Sequence, residues 1–175
     1  MLHAPVQGEY EGCTFTNCDF HNLDISGFAF VDCTFATCNL SMAKIGRTVF
    51  RDVTFRDCKL WGLRFDTCSE FGLSFSFHHC SLNYSSFYQV AIRKTVFRDC
   101  EMKELDLSSC DLTAAVLYNC DLLGTSFDNT NLEKADLRGS LNIVLDPARN
   151  KVKKAIFSQE ALPGLLAAYD IKVEP

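Results

Sequence analysis

Ten cysteines and the run His78-His79-Cys80 are the residues of this 175-residue chain whose types most directly offer chemistry. Thiolates and imidazoles are the donors of tetrahedral zinc sites, which need their lone pairs to converge on one point. Cys13/Cys18 and Cys33/Cys38 repeat a Cys-x4-Cys spacing, and 22 carboxylates are available for proton transfer. The rest of a catalytic apparatus is missing from the sequence: there is no Gly-x-Ser-x-Gly elbow and no phosphate-cradling glycine loop. Met1-Leu2-His3-Ala4-Pro5 shows no charged flank followed by an apolar stretch, so no signal peptide is expected. No apolar run approaches a membrane span. A cytoplasmic location follows as the expectation, and its reducing conditions leave the cysteines unpaired. They need a role other than crosslinking.

That role comes from the elements that position them. Neither a helical nor a strand period fits the chain, but a period of five does. From Tyr10 every fifth residue is Phe15, Phe20, Ile25, Phe30, Phe35, Leu40, Ile45, Phe50, Phe55, Leu60 and Phe65. The phase is lost near Glu70 and returns two residues later, from Phe77 through Leu82, Phe87, Ile92, Phe97, Met102, Leu107, Leu112, Leu117, Leu122, Phe127 and Leu132 to Leu137. All are apolar, in a chain that is 47% apolar overall. Each cysteine lies two positions before such a centre, Cys68 included if the first phase is carried to Glu70. Ala43, Thr48, Ser85 and Thr125 share that slot, which marks it as a packing position for small residues. The other three positions of each five are mostly polar.

A second period sits on the first. Cys18, Cys38 and Cys58 are 20 apart, as are Cys80, Cys100 and Cys120, and the step of 22 between the two sets is 20 plus the slip. Four five-residue units therefore make one turn of a square solenoid, whose coils stack at ~4.8 Å like hydrogen-bonded strands. Phe77 and Cys80 then point inward while His78 and His79 point outward, so no metal site is expected there. Stacked coils bring same-column thiols within bonding range, and reducing conditions keep them as thiols.

Cys120-Asp121-Leu122-Leu123-Gly124, Cys110-Asp111-Leu112-Thr113-Ala114 and Ala135-Asp136-Leu137-Arg138-Gly139 closely resemble the repeat of the pentapeptide-repeat family. The resemblance covers roughly residues 9–142 and implies an all-β fold, a right-handed quadrilateral β-helix of about six coils and ~30 Å length. Residues 143–175 are expected to form a C-terminal cap with a short helix: 148–157 as a last irregular coil, 158–169 as the helix with Pro163 in its first turn, and Ile171-Lys172-Val173 as a short strand. Leu162, Leu165, Leu166, Tyr169 and Ile171 offer more apolar surface than a cap needs, which points to a dimer contact. Within the slip, two readings stay open: Phe71 as an inward centre between two single bulges, or Phe75 inward with the extra pair after it.

Charge is banded along the chain although the net is only −5. Residues 1–43 carry five acids and no base, 44–98 nine bases and four acids, and 99–136 nine acids and two bases. A narrow rod with rows of carboxylates matches duplex DNA in shape and sign, and fits a basic groove on another protein. Asp and Asn before each centre also serve as turn residues. The chain is similar to one branch of the family, the quinolone-resistance and microcin-immunity proteins, in size, in its nearly unbroken solenoid and in the ending Leu145-Asp146-Pro147 through Ile171. That likeness implies a homodimer that binds a type II topoisomerase, DNA gyrase or topoisomerase IV, and guards it from a poison or toxin. The expected contacts are Asp99, Glu101, Glu104, Asp106, Asp111 and Asp121, with Glu70 at the slip as a second surface. No catalytic residue, metal, cofactor, direct nucleic-acid contact or membrane is expected. An interaction scaffold of unrelated specificity is the alternative.

Overall fold

A computed structural model describes residues 6–172 and residue 174. The chain winds as a right-handed quadrilateral β-helix, so each side is a ladder of segments about twenty residues apart. Side 1 begins as a parallel three-stranded sheet of β1 (Glu9–Glu11), β3 (Ala29–Val31) and β5 (Val49–Arg51). Side 2 is a parallel six-stranded sheet of β2 (Thr14–Thr16), β4 (Thr34–Ala36), β6 (Val53–Arg56), β7 (Phe75–His78), β8 (Val96–Arg98) and β9 (Val116–Tyr118). Side 3 is held by bridges linking Asp19, Asn39, Lys59, Ser81, Glu101, Asp121 and Leu141 in turn. Side 4 is held by bridges between Asp24 and Lys44, and by a run from Arg64 through Ser86 and Asp106 to Ser126.

The centres fill the interior. Phe15, Phe35, Phe55, Phe77 and Phe97 stack along side 2 with ring centroids 4.8, 5.1, 5.2 and 5.0 Å apart, which sets the coil spacing and adds offset-stacking energy to area burial. Eight of the ten cysteines are buried; Cys13 and Cys18, in the first coil, are half-buried. The small slot has a requirement beyond size. Cys38 Sγ donates to Phe15 O at 3.3 Å, Thr48 Oγ1 to Ile25 O at 2.8 Å, Ser85 Oγ to Leu60 O at 2.7 Å and Asn150 Nδ2 to Phe127 O at 3.1 Å. A small donor there serves a carbonyl of the preceding coil, which explains why Cys, Thr and Ser recur in it. Cys80 is buried, with its Sγ donating to the His78 carbonyl at 3.3 Å. His78 is half-buried and His79 exposed, on the outside of the coil. Among the described residues no three His, Cys, Asp or Glu side chains are grouped to hold a metal ion, and no helix is long and apolar enough to cross a membrane.

Corners are made by residues two past each centre, which adopt left-handed backbone: Asn17 at φ 53°, Met42 at 59°, Asp57 at 52° and Lys94 at 60° are examples. Such conformations are unfavourable for side-chain-bearing residues and are held by the ladder bonds on either side. Glycine is used where a neighbour crowds the corner: a Cβ on Gly124 would run into the Glu104 carboxylate.

The two-residue slip resolves differently from either sequence reading. Phe71 is 81% exposed, whereas Phe75 is 6% exposed and buried against Phe65, Phe77 and Phe87. Yet Phe75 is not a centre: it pairs with Val53 and so occupies the small slot before Phe77. Cys68 holds the preceding small slot, and Leu73 takes the place of the missing centre, packed against the core. The interval from slot to centre is thus three residues too long and the next interval one too short, giving two in all. The short corner leaves the Asp52 N–H without a carbonyl opposite it, and Ser74 Oγ accepts from it at 2.7 Å while donating to Asp52 Oδ1 at 2.7 Å. The three-stranded sheet ends at this bulge, and side 1 continues as single bridges through Ala91, Asp111, Asn131 and Lys151.

The ladder also runs on beyond Leu137. Residues 148–157, expected to be irregular, pair regularly through Asn131–Lys151 and Asp136–Ile156. A short helix, α1 (Leu162–Leu166), follows with Pro163 in its first turn and 3-10 turns on each side. It lies against the last coil at Gly164, whose missing side chain lets the backbone approach the Ile143 carbonyl; Leu145 N–H donates to Gly164 O at 3.3 Å. Ile171 and Lys172 are not in a strand, and Val173, like Met1–Pro5, falls outside the described residues.

Candidate functional site

A regular shaft exposes one row of residues before each centre and one after it, so the surface chemistry is set by rows. The expected acidic contacts are distributed around the shaft. Glu101 and Asp121 lie on side 3, with Asp99 at its corner with side 2 and Glu104 at its corner with side 4. Asp106 is on side 4 and Asp111 on side 1, the side opposite Glu101. Glu70 is exposed in the bulge between sides 4 and 1, next to the protruding Phe71. Side 3 with its two corners therefore collects Asp99, Glu101, Glu104 and Asp121, and the other three face elsewhere.

Several of these carboxylates carry structural duties. Asp106, Asp111 and Asp121 each accept from the backbone N–H two residues on, at 2.9, 3.0 and 3.3 Å, the local bond that makes Asp a turn residue. Asp111 also pairs with Arg93 at 2.6 Å and Asp121 with Lys103 at 3.2 Å. Partial burial opposes ionisation of Asp111, but hydrogen bonds from Thr113 and Arg93 outweigh it and hold the carboxyl below the usual range. Burial likewise opposes ionisation of Asp121, and Asn142 and Lys103 outweigh it. Glu101 Oε2 accepts from Ser81 Oγ and Asn83 Nδ2, and Asp99 from Asn119. Trp61 Nε1 donates to the same Ser81 hydroxyl, and the Lys59 ammonium lies 3.7 Å from the Trp61 ring centroid. These residues border a shallow groove on side 3 with Asp57, His79, Asp99 and Glu101.

The cysteines are mostly buried, and their environments differ. Hydrogen bonding with Cys58 and burial push the Cys38 thiol up, and burial does the same at Cys68 and Cys110, whereas hydrogen bonds with Cys58 and Cys100 lower Cys80 and Cys120, which are buried away from any reagent. At the C-terminal end Leu162, Tyr169 and Ile171 are about half exposed, while Leu165 and Leu166 are half-buried and Leu165 packs on the core. Leu141 and Val144, both more than half exposed, line a groove beside Gly164 and enlarge this apolar end. Sequence reasoning missed these two because neither sits at a helix position. It also missed the row Arg56, His78 and Arg98 on side 2, although the repeated Phe-Arg-Asp-Cys at 55–58 and 97–100 holds two of its three members.

A shaft of stacked five-residue units with a donor-bearing small slot and one apolar centre per unit is a pentapeptide-repeat solenoid. Residues 73–142 match the family model described as pentapeptide repeat region. No curated protein sequence matches it. Among solved structures it is similar to a trypsin-treated variant of QnrB1, a plasmid-mediated fluoroquinolone resistance protein. The identity is 25%, covering 95% of this chain and 90% of that one, with a TM-score of 0.54. Full-length QnrB1 matches at 22% identity over 93% and 90% of the two chains, with a TM-score of 0.48. HetL, involved in heterocyst differentiation regulation in Nostoc sp. strain PCC 7120, matches at 14% identity over 84% and 86%, with a TM-score of 0.42.

Proposed function

We propose that this protein is a non-catalytic homodimer that binds a type II topoisomerase, DNA gyrase or topoisomerase IV, and protects it from a quinolone or a toxin. The observation that carries this reading is the likeness, over nearly the whole of both chains, to a fluoroquinolone resistance protein. The surface chemistry supports it. Asp99, Glu101, Glu104 and Asp121 give side 3 a line of carboxylates on a narrow, straight shaft, suited to a basic DNA-binding groove. Dimerisation uses the apolar C-terminal end of Leu162, Leu165, Leu166, Tyr169 and Ile171, with Leu141 and Val144 beside them. One observation favours the alternative, a scaffold of other specificity: Arg93 and Lys103 already neutralise Asp111 and Asp121.

Charge reversal at Asp106, Asp111 or Asp121 confuses binding with folding, because each holds a turn. Asparagine retains the accepting oxygen and removes the charge. Binding to purified gyrase, followed by surface plasmon resonance, is expected to fall roughly ten-fold for the Asp99→Asn/Glu101→Gln/Glu104→Gln variant, while Asp111→Asn changes it little. Binding that is unaffected by the triple substitution would move the protein to the scaffold reading.

A further inference from the structure

We propose that Arg56, His78 and Arg98 on side 2 form a binding strip for a short acidic segment of a partner protein. The strip is independent of the topoisomerase reading. Strands β6, β7 and β8 pair in a register that places Arg56 opposite His78 and His78 opposite Arg98. The three side chains therefore stand in one outward column, ~4.8 Å apart, over a span of ~10 Å. Arg56 and Arg98 are exposed, and His78 is half-buried between them.

Cations placed directly opposite one another on neighbouring strands destabilise a sheet. Some shaft arginines are answered by an ion pair, as at Arg64–Asp66, Arg93–Asp111 and Arg138–Asp136. Others, such as Arg47 and Arg51, have no such pair among the described residues, but those do not stand opposite a second cation across a strand pair. Among the described residues neither Arg56 nor Arg98 has an ion-pair partner. The guanidinium of Arg98 lies over the Tyr118 ring, 5.0 Å from its centroid, and its charge also reaches the Asp136 carboxylate, which is itself paired with Arg138. Asp99, the carboxylate nearest in sequence, is taken by Asn119 at 2.6 Å. A parallel row of hydroxyls lies beside the cations, with Ser76 Oγ donating to Thr54 Oγ1 at 3.3 Å. Guanidinium, imidazole and hydroxyl groups in two adjacent rows are a set of donors for carboxylates.

The surroundings select the length of the occupant. Residues 1–43 carry five acids and no base, and residues 99–136 carry nine acids against two bases. These acids lie mostly on the other sides of the shaft, and on side 2 the outward column continues as uncharged Ala36 before Arg56 and Tyr118 after Arg98, so the run of cations ends after three positions. An extended peptide presents same-face side chains every ~6.8 Å, so two or three carboxylates span the ~10 Å available. The fit is therefore to a few Asp or Glu residues on alternate positions.

His78 gives the strip a pH response. Burial is the largest influence lowering its pKa, followed by Arg56, Arg98 and His79, with Asp99 opposing. A bound carboxylate reverses the local field, so binding takes up a proton and tightens as pH falls.

The test is fluorescence anisotropy of a fluorescein-labelled peptide of alternating Glu and Thr, at low salt. Measurements at about pH 5.5 and about pH 7.5 lie either side of the ordinary imidazole value. Arg56→Gln and Arg98→Gln are each expected to weaken binding roughly ten-fold. Arg138→Gln, whose residue is already paired with Asp136, is expected to change it less than about two-fold. His78→Asn is expected to retain binding at the higher pH and abolish the tightening at the lower. All four side chains are outside the core, and unchanged urea midpoints verify folding. Loss of binding in Arg138→Gln equal to that in Arg56→Gln would reduce the effect to bulk charge and overturn the proposal. So would unchanged binding in Arg56→Gln and Arg98→Gln. Tighter binding of a duplex DNA probe through the same two arginines would replace the acidic peptide with a nucleic acid.

Discussion

Three phenylalanines in or near the slip separate the folded core from the surface, and truncating each to alanine tests the assignment. Phe55 is fully buried, with Phe35 and Phe77 stacked on its two faces at 5.1 and 5.2 Å. Phe→Ala in a core costs about 3–5 kcal/mol. The upper half of that range applies here, because ladder bonds at every coil prevent the cavity from collapsing and two stacked partners are lost at about 0.5–1.5 kcal/mol each. Phe75 is equally buried but meets its neighbours through edges and tilted faces, so about 3 kcal/mol is expected. Phe71 is 81% exposed, and its loss should stay within about 0.5 kcal/mol. With a urea slope of about 2 kcal/mol per molar, the midpoints fall by about 2 M for Phe55→Ala, about 1.5 M for Phe75→Ala and less than about 0.3 M for Phe71→Ala. Equilibrium urea denaturation followed by far-ultraviolet circular dichroism reads all three. A Phe71→Ala midpoint that falls as far as that of Phe75→Ala would refute the register through the bulge.

Other expectations follow from the same geometry. Ellman's reagent should titrate at most Cys13 and Cys18 in the native protein and all ten thiols in denaturant; rapid native reaction of the other eight would contradict the burial described. Asp111, Asp121 and Asp136 titrate below the usual carboxylate range, so their stabilisation is complete above the unfolded value of about 3.9 and is lost as pH falls through the folded values. Urea midpoints should therefore be flat down to about pH 5 and drop below about pH 4, and the drop should be smaller in Arg93→Gln. Gly164→Ala should cost roughly 1–3 kcal/mol and speed proteolysis of residues 158–170, because a Cβ there meets the Ile143 carbonyl.

The solenoid was legible because its two inward positions repeat without interruption over whole coils, and a side chain that must point inward every fifth residue leaves its mark directly in the sequence. The bulge was not, because Phe71, Leu73 and Phe75 are all apolar and only backbone pairing shows which of them turns inward. The Ser74–Asp52 hydrogen bonds that close the short corner are side-chain substitutes for a ladder bond, and no periodicity predicts them. Residues 148–157 read as irregular because Asn142 stands where a centre is due. Ile143 fills that place instead, after which Asn150, Val152, Ala155 and Phe157 resume the spacing of slot and centre. The acidic residues were visible as a band along the chain, but a band in sequence wraps a solenoid. Which carboxylates share a side depends on the twenty-residue column, and that column puts Asp111 opposite Glu101. The Arg56–His78–Arg98 column is hidden for the same reason, with the two-residue slip falling between its first two members.

The most direct test of the proposed protection is a gyrase supercoiling assay in the presence of a fluoroquinolone, with this protein titrated in. Restoration of supercoiling at concentrations comparable to the enzyme, reduced in the Asp99→Asn/Glu101→Gln/Glu104→Gln variant, is the result the account predicts. An unchanged drug response at concentrations far above that of the enzyme would contradict it.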